Sequence, residues 1–391
     1  MTPEISWQLL TRGYLTEPLM AESSERPAAR RVRVLGRPAL LVAGDEGARL
    51  FYDTELMSRQ GAVPAPLSDE IFGVGTIHGL DGSAHRHRKA IHLQSLDDAG
   101  VVAVREQVVR SWRERIDRDG EQVPEQLFGS LSEVLGVAAL RWAGLGDVDA
   151  IRRSRDLTAI VEGLGSPARY LRGRLARRRC EAWAADAVRA ARRGVDGSAP
   201  VNVVASAVDD QGCLLPVEVA AVELLNLIRP QVAVAYFGAF VPLALRTRPD
   251  WVERVGSGGD ALSCRAFGHE IRRHYPFVPM LAARAREDLS WHGHHVRRGQ
   301  RVLLHVVATN HDPARWDHPW SFRPERFLGY EPAPYEFVPQ GGGNVERGHR
   351  CPGEPAVVEV LHVLVRELAD LPHRRGPLRF DASRIPARPS A

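Results

Sequence analysis

From Ala84 onward, apolar residues recur at three- and four-residue intervals over most of the chain. AHRHRKAIHLQSL, VVAVREQVVRSWRERI and PEQLFGSLSEVLGVAALRWAGL each keep that period, which collects the apolar side chains on one helix face. A long helix is predicted from about Pro216, where PVEVAAVELLNLI runs into NLIRPQVAVAYFGAF. Others are predicted over CRAFGHEIRRHY and from about Glu354 to Asp370. Strand patterns are confined. RRVRVLGRPALLVAG alternates β-branched and polar residues around LGRP, as a hairpin does. LSWHGHHVRRGQRVLLHVV holds short strands punctuated by the turn-like HGHH and RRGQ. Irregular, proline-rich chain is expected from Asp312 to Pro339. The pattern predicts a mainly α fold with a small β region, as one unit over 1–391 with no linker and no internal repeat. Residues about 1–60 and 286–306 contribute the β region, 62–285 and 354–370 the helical body, and 337–353 a loop.

Composition narrows the class. Hydrophobic residues at 44% and charged residues at 26% fit a soluble folded protein, so disorder is expected only in the tail RIPARPSA. No secretory pattern and no run of eighteen apolar residues is found, and Pro230 to Leu245 is short and holds two prolines, so no membrane span is expected. Cys180, Cys213, Cys264 and Cys351 are far apart, which argues against disulfides or a zinc ribbon and for a reducing cytoplasm.

A pI near 9.1 raises the question of nucleic acid. Net charge is only +4 and acids are interleaved with the arginines, so no nucleic-acid partner is expected. The densest basic run, RYLRGRLARRRCEAW from Arg169, reads first as a solvated helix face and second as a site for an acidic partner. His292, His294 and His295 resemble a metal site by composition, but the turn context favours an exposed loop.

The loop FVPQGGGNVERGHRCPGE, from Phe337, lacks the lysine and Ser/Thr of a phosphate loop. Its Cys351 directly precedes an amphipathic helix, whose N-terminal dipole stabilises a thiolate, so the sulfur could be inert, a nucleophile or a metal ligand. Upstream, Glu270 and Arg273 form an E-x-x-R on one helix face, and FRPERF supplies Arg326.

In this order, E-x-x-R, NHDPARWDHPWSFRPERF and F-x-P-Q-G-G-G ending in H-R-C-P-G-E resemble the signature of a cytochrome P450. Phe337 precedes Cys351 by fourteen residues, where the general family has seven, and this longer form resembles the bacterial fatty-acid peroxygenase and decarboxylase subgroup. The resemblance implies a P450 fold and haem b, with Cys351 as axial thiolate of the iron. It makes Glu270, Arg273 and Arg326 a structural ion network, and Arg59, His85, Lys89, Gln340 and His349 haem contacts. Lys89 is the only lysine in the chain.

Ordinary P450s carry an acid-alcohol pair on the long helix. Here Arg229-Pro230 stands instead, and no acid or threonine occurs between Asn226 and Leu245. A buried arginine needs an anion: an internal carboxylate, solvent at a helix edge, or a bound acid. The resemblance favours a fatty acid held by Arg229, whose carboxylate handles protons for hydrogen peroxide without a dedicated redox partner. Pro230 is expected to kink the helix and open space. By the same resemblance His78 favours loss of CO2 over hydroxylation, Phe72 packs on it, and Ala233, Phe277, Val278 and Met280 contact the acyl chain. The expected products are Cα or Cβ hydroxy acids, or terminal alkenes plus CO2. The alternatives are a redox-partner-dependent monooxygenase, a haem sensor and a nucleic-acid binder.

Overall fold

The LGRP segment closes as a two-residue turn: Leu35 and Gly36 both have positive φ, 52° and 71°, as the favoured hairpin turn requires. It joins strands β1 (Ala29–Val34) and β2 (Arg37–Val42), paired antiparallel with Val34 opposite Arg37. The computed structural model describes residues 2–16, 28–120, 124–146, 149–163, 166–194, 197–371 and 379–390.

Three further strands, β3 (Met57–Ser58), β4 (Met280–Ala285) and β7 (Arg301–His305), complete a sheet of order β1-β2-β7-β4-β3. Only the β2–β7 pair in it is parallel. β5 (Leu289–Trp291) and β6 (His294–Val296) form a hairpin, and β8 (Arg379–Asp381) pairs with β9 (Arg388–Ser390).

Helices α1 (Ser6–Arg12) and α2 (Gly44–Tyr52) lie within the region expected to be β. The helical body begins with α3 (Ala65–Ile71), α4 (Gly82–Ser95), α5 (Asp98–Asp119) and α6 (Pro124–Trp142). It continues with α7 (Ala150–Glu162), α8 (Pro167–Ala191), α9 (Pro200–Ala205), α10 (Val217–Thr247) and α11 (Val252–Val255). α12 (Ala261–His274), α13 (Val306–Asn310) and α14 (Glu354–Ala369) complete it. α10 is the central element. It packs on α6, α8 and α14, and between Ala220 and Pro242 every residue except Pro230 and Ala233 is buried. Its 31 residues are long and apolar enough to cross a membrane, yet its apolar stretch is the core of this fold.

Three expectations change. Met280–Ala285 is a strand, not part of the helical body: its apolar residues pair with β7, and Met280 packs beside the cluster of Ile5, Val32 and Leu41 on the sheet. The RIPARPSA tail is not disordered over its described residues, because Pro386 and Ala387 are buried and Arg388 caps the Phe128 ring, 4.8 Å from its centre. The basic run on α8 is only partly a solvated face. Arg172 and Arg178 are exposed, but Arg177 is buried and donates Nε and Nη2 to the carbonyls of Glu70 and Ile71, both at 2.5 Å.

Candidate active site

The glycine loop needs its glycines. Gly341 has φ +97°, and a side chain there would run into the Tyr52 hydroxyl and the Arg350 backbone. The loop turns back so that the Cys351 N–H donates to the Gln340 carbonyl at 3.0 Å, leaving the thiol at the mouth of α14. Burial pushes the thiol pKa up and outweighs the Gly353 N–H and the charges of Lys89 and Arg272, which act the other way.

Two buried ion pairs fix that loop. Arg273 donates Nε and Nη2 to the two Glu270 oxygens at 2.7 Å each, with both side chains fully buried. Arg326 Nε lies 3.6 Å from Glu270, while its Nη2 donates to the His318 carbonyl at 2.7 Å. The second pair was not singled out in the sequence: Arg272 bridges Gln340 and Glu354. Gln340 thereby braces the loop through its Oε1, which Arg272 occupies.

A cavity of about 210 Å³ separates Cys351 from α10. His349 to Gly353 form one wall; Asn226, Leu227, Pro230 and Gln231 form the opposite one; Ile77, His78, His85, Lys89 and His92 close the side. His78 is enclosed by protein yet keeps more than a third of its surface accessible, so that surface is cavity wall. Pro230 does not end α10, which runs on to Thr247 through both of its prolines. Pro230 and Ala233, one turn apart, are the partly open positions of its buried stretch.

Cationic groups gather at one edge. The His85 and His349 rings are 4.0 Å apart, and Lys89 Nζ donates to the carbonyls of Gly348 and Arg350 at 2.5 and 2.6 Å. Arg59 lies over the Phe51 ring, and its Nη1 is buried without a partner. Burial, against the pull of Cys351, lowers Lys89 to about 8; burial, then the charges of His349 and Lys89, lowers His85 to about 3; and burial lowers Arg59 to about 10. One acid, Asp81, faces them, 3.4 Å from His349.

Arg229 is buried beside this cavity. Nη2 reaches Asn226 Oδ1 at 3.4 Å, and Nε has no partner. Burial, then the neighbouring Arg177, lowers its pKa to about 9, with Glu70 and Cys351 opposing. No carboxylate stands within ion-pair distance of it among the described residues. Phe72 stacks on His78, 4.0 Å between ring centres and 16° between planes, and Arg229 lies 5.7 Å from the Phe72 ring centre. Burial, with Arg229 next, holds His78 well below its ordinary pKa, so the ring is neutral at neutral pH.

Phe277 packs against Tyr236 and Phe237 of α10, and Val278 is partly exposed. Met280 packs beside the sheet cluster, and none of these three is among the residues lining this cavity. His292, at the β5–β6 turn, meets Glu46 at 2.9 Å, and His295 lies 3.8 Å from Asp288. These carboxylates were not expected from the local sequence, but no metal-ligating cluster occurs among the described residues.

The cytochrome P450 family model matches residues 264–368, which include the E-x-x-R pair, Arg326 and Cys351. A curated relative, putative cytochrome P450 137 of Mycobacterium tuberculosis, is 37% identical over 127 residues, which cover 30% of this chain and 26% of that protein. Solved structures match throughout. A variant of cytochrome P450SP alpha (CYP152B1) is 35% identical with a TM-score of 0.90, over 99% of this chain and 97% of that one. The chain is a cytochrome P450 of the CYP152 family. Cytochrome P450EX alpha (CYP152N1), solved with myristic acid, is 32% identical with a TM-score of 0.91, covering 100% and 96% of the two chains. An OleT variant, solved with arachidonic acid, is 28% identical at a TM-score of 0.90, covering 99% and 95%.

Membership in this family implies haem, and the residues of this P450 fit it. A thiol faces the cavity, and the Arg59, His85, Lys89 and His349 cluster, with an unpartnered guanidinium nitrogen, suits the carboxylates at one edge of a porphyrin.

Proposed function

We propose that this P450 is a fatty-acid peroxygenase, using hydrogen peroxide to oxidise fatty acids at Cα or Cβ without a dedicated redox partner. The observation that carries the reading is Arg229, a buried guanidinium beside the cavity with no carboxylate within ion-pair distance among the described residues, in a helix stretch, Asn226 to Leu245, that holds no acid or threonine. Cys351 would hold haem b, whose thiolate-ligated iron supplies the oxidising chemistry and favours O–O cleavage.

The chain's own residues set up the rest. Arg229 takes the substrate carboxylate in its guanidinium fork and fixes the acid's first carbons at the cavity. The bound carboxylate then accepts a proton from one peroxide oxygen and returns it to the other, supplying the relay that α10 lacks. Pro230 and Ala233 leave room for the acid's first carbons, and Phe72 orients His78 by stacking. Neutral His78 exchanges a proton there and biases the outcome toward alkene. Hydroxylation consumes one peroxide and releases water. Decarboxylation of RCH2CH2CO2H with one peroxide gives RCH=CH2, CO2 and two waters. The solved relatives with myristic and arachidonic acids support the substrate class.

Gas-chromatographic analysis after incubating haem-loaded protein with mixed fatty acids and hydrogen peroxide, with no reductase, tests this. Hydroxy acids or terminal alkenes are expected, and unchanged acid from a haem-thiolate sample would sink the proposal.

A further inference from the structure

Glu223 has no part in the chemistry above, yet it is fully buried on α10, six residues before Arg229, and is fully used. Its Oε1 accepts from the Ile77 N–H at 3.1 Å and from Arg88 Nη1 at 2.9 Å; its Oε2 meets His92 Nε2 at 2.9 Å. Burial alone would raise its pKa, but His92 and Arg88 hold it below the ordinary value, so it is an ionised acceptor. His92 Nε2 is therefore the donor, and Nδ1 is left as acceptor on a ring that lines the cavity. One turn along α10, Asn226 Nδ2 donates to the Phe72 carbonyl at 3.1 Å. α10 thus grips the segment 72–77 at both ends, and His78 follows directly from it.

The two outcomes of the proposed reaction differ in protons. With an ionised acid, hydroxylation is balanced: RCH2CO2⁻ and H2O2 give RCH(OH)CO2⁻ and H2O. Decarboxylation is not: RCH2CH2CO2⁻, H2O2 and H⁺ give RCH=CH2, CO2 and two H2O. Alkene formation consumes one proton that hydroxylation does not.

We propose that Glu223 is a positioning residue that fixes both the turn bearing His78 and the tautomer of His92, making His92 a second proton-carrying histidine that favours alkene over hydroxy acid. With Glu223 against Nε2, Nδ1 of His92 is the position that takes the extra proton within the cavity. The groups facing this unit are Arg88 on its own helix, Glu223 on α10 and His78 from the turn. His85, Lys89, His349 and Arg350 face the same cavity, while α9, packed on α4, brings no titratable side chain. The proton-supply part rests on the peroxygenase reading; the positioning part does not.

Glu223→Gln and His92→Phe holoenzymes test it. Hydrogen exchange across 72–79 and imidazole ¹⁵N shifts of the diamagnetic, carbon-monoxide-bound ferrous protein read the positioning directly. Wild type should show His92 as the Nε2–H tautomer, and Glu223→Gln, whose amide donates to Nε2, should invert it. His92→Phe should lower the alkene to hydroxy-acid ratio roughly fivefold, the effect of about one net hydrogen bond, and flatten its pH dependence. An Nδ1–H tautomer in wild type overturns the positioning role. An unchanged ratio and pH profile in both variants with intact haem-thiolate spectra, or no alkene from wild type at any pH, overturns the proton supply. Loss of all products in wild type with the tautomer as stated sinks the peroxygenase reading and leaves the positioning role standing.

Discussion

Arg229 Nη2 and Asn226 Oδ1 stand 3.4 Å apart, the long single hydrogen bond of a guanidinium that is only 7% exposed. A charge so enclosed costs several kcal/mol in lost hydration, and nothing nearby offsets it fully. Arg229→Met should therefore raise stability of the substrate-free protein by about 1–3 kcal/mol. The same change should lower turnover of long-chain acids by roughly a hundredfold or more, the scale of an unpaired buried charge contact. Thermal unfolding and product yield on one preparation check both. A variant as active as wild type would remove the anchor.

Glu70 gives a second buried charge with the opposite sign. It is fully buried at the end of α3, neither carboxylate oxygen has a partner, and a side chain at Gly163 or Gly173 would collide with it. Burial raises its pKa from 4.5 to about 7, against Arg177, Arg229 and Arg174. Between those two values the folded protein keeps a proton that the unfolded chain has released, so this group lowers stability as pH rises from about 4.5 and most above about 7. Glu70→Met should remove that loss, about 2–3 kcal/mol above pH 7 for a rise from 4.5 to about 7. Unfolding midpoints at pH 6 and pH 8 measure it, and an equal decline in both proteins would refute the assignment.

The parts of this site that show in the sequence are those whose chemistry is local. Cys351 announces itself through the residues around it, Glu270 and Arg273 through helical spacing, and Arg229 through its conflict with an apolar helix. Glu223 and His92 do not, because they are 131 residues apart and each is unremarkable in its own helix. Arg272 was equally hidden beside Arg273, since only the folded loop brings Gln340 and Glu354 to it. Met280–Ala285 misled for the converse reason: apolar chain after YPFVP fits the end of a helical body or a strand, and pairing with β7 decided for the strand.

Lys89 links the cationic edge to the thiol loop. Its Nζ, on a side chain that is 1% exposed, bonds the Gly348 and Arg350 carbonyls, and burial lowers its pKa to about 8. Lys89→Met removes the charge and both donors while keeping the length. Haem should then be lost roughly tenfold or more faster to an apo-globin acceptor, as expected for about 2 kcal/mol of charged hydrogen bonding. Retention at the wild-type rate would separate Lys89 from the cofactor.

The Glu270–Arg273 pair makes the strongest structural prediction, because it has two 2.7 Å hydrogen bonds and no exposure. Glu270 also accepts from the Arg323 N–H at 2.7 Å, while Arg273 Nη1 donates to the carbonyls of Asn310 and Pro319 at 3.0 and 2.8 Å. Asn310 in turn accepts from the Val338 N–H at 2.9 Å, which ties the pair to the start of the loop ending at Cys351. Breaking it leaves a buried charge unpaired, so Glu270→Gln should cost about 3–5 kcal/mol. Arg273→Lys keeps the charge but loses the fork, the second Glu270 bond and at least one carbonyl contact, and should cost less. Both should lose the thiolate-ligated carbon monoxide spectrum before global unfolding as denaturant rises. A ligand signal lost only together with the far-ultraviolet signal would show that the pair supports the whole fold equally, not the cysteine loop in particular.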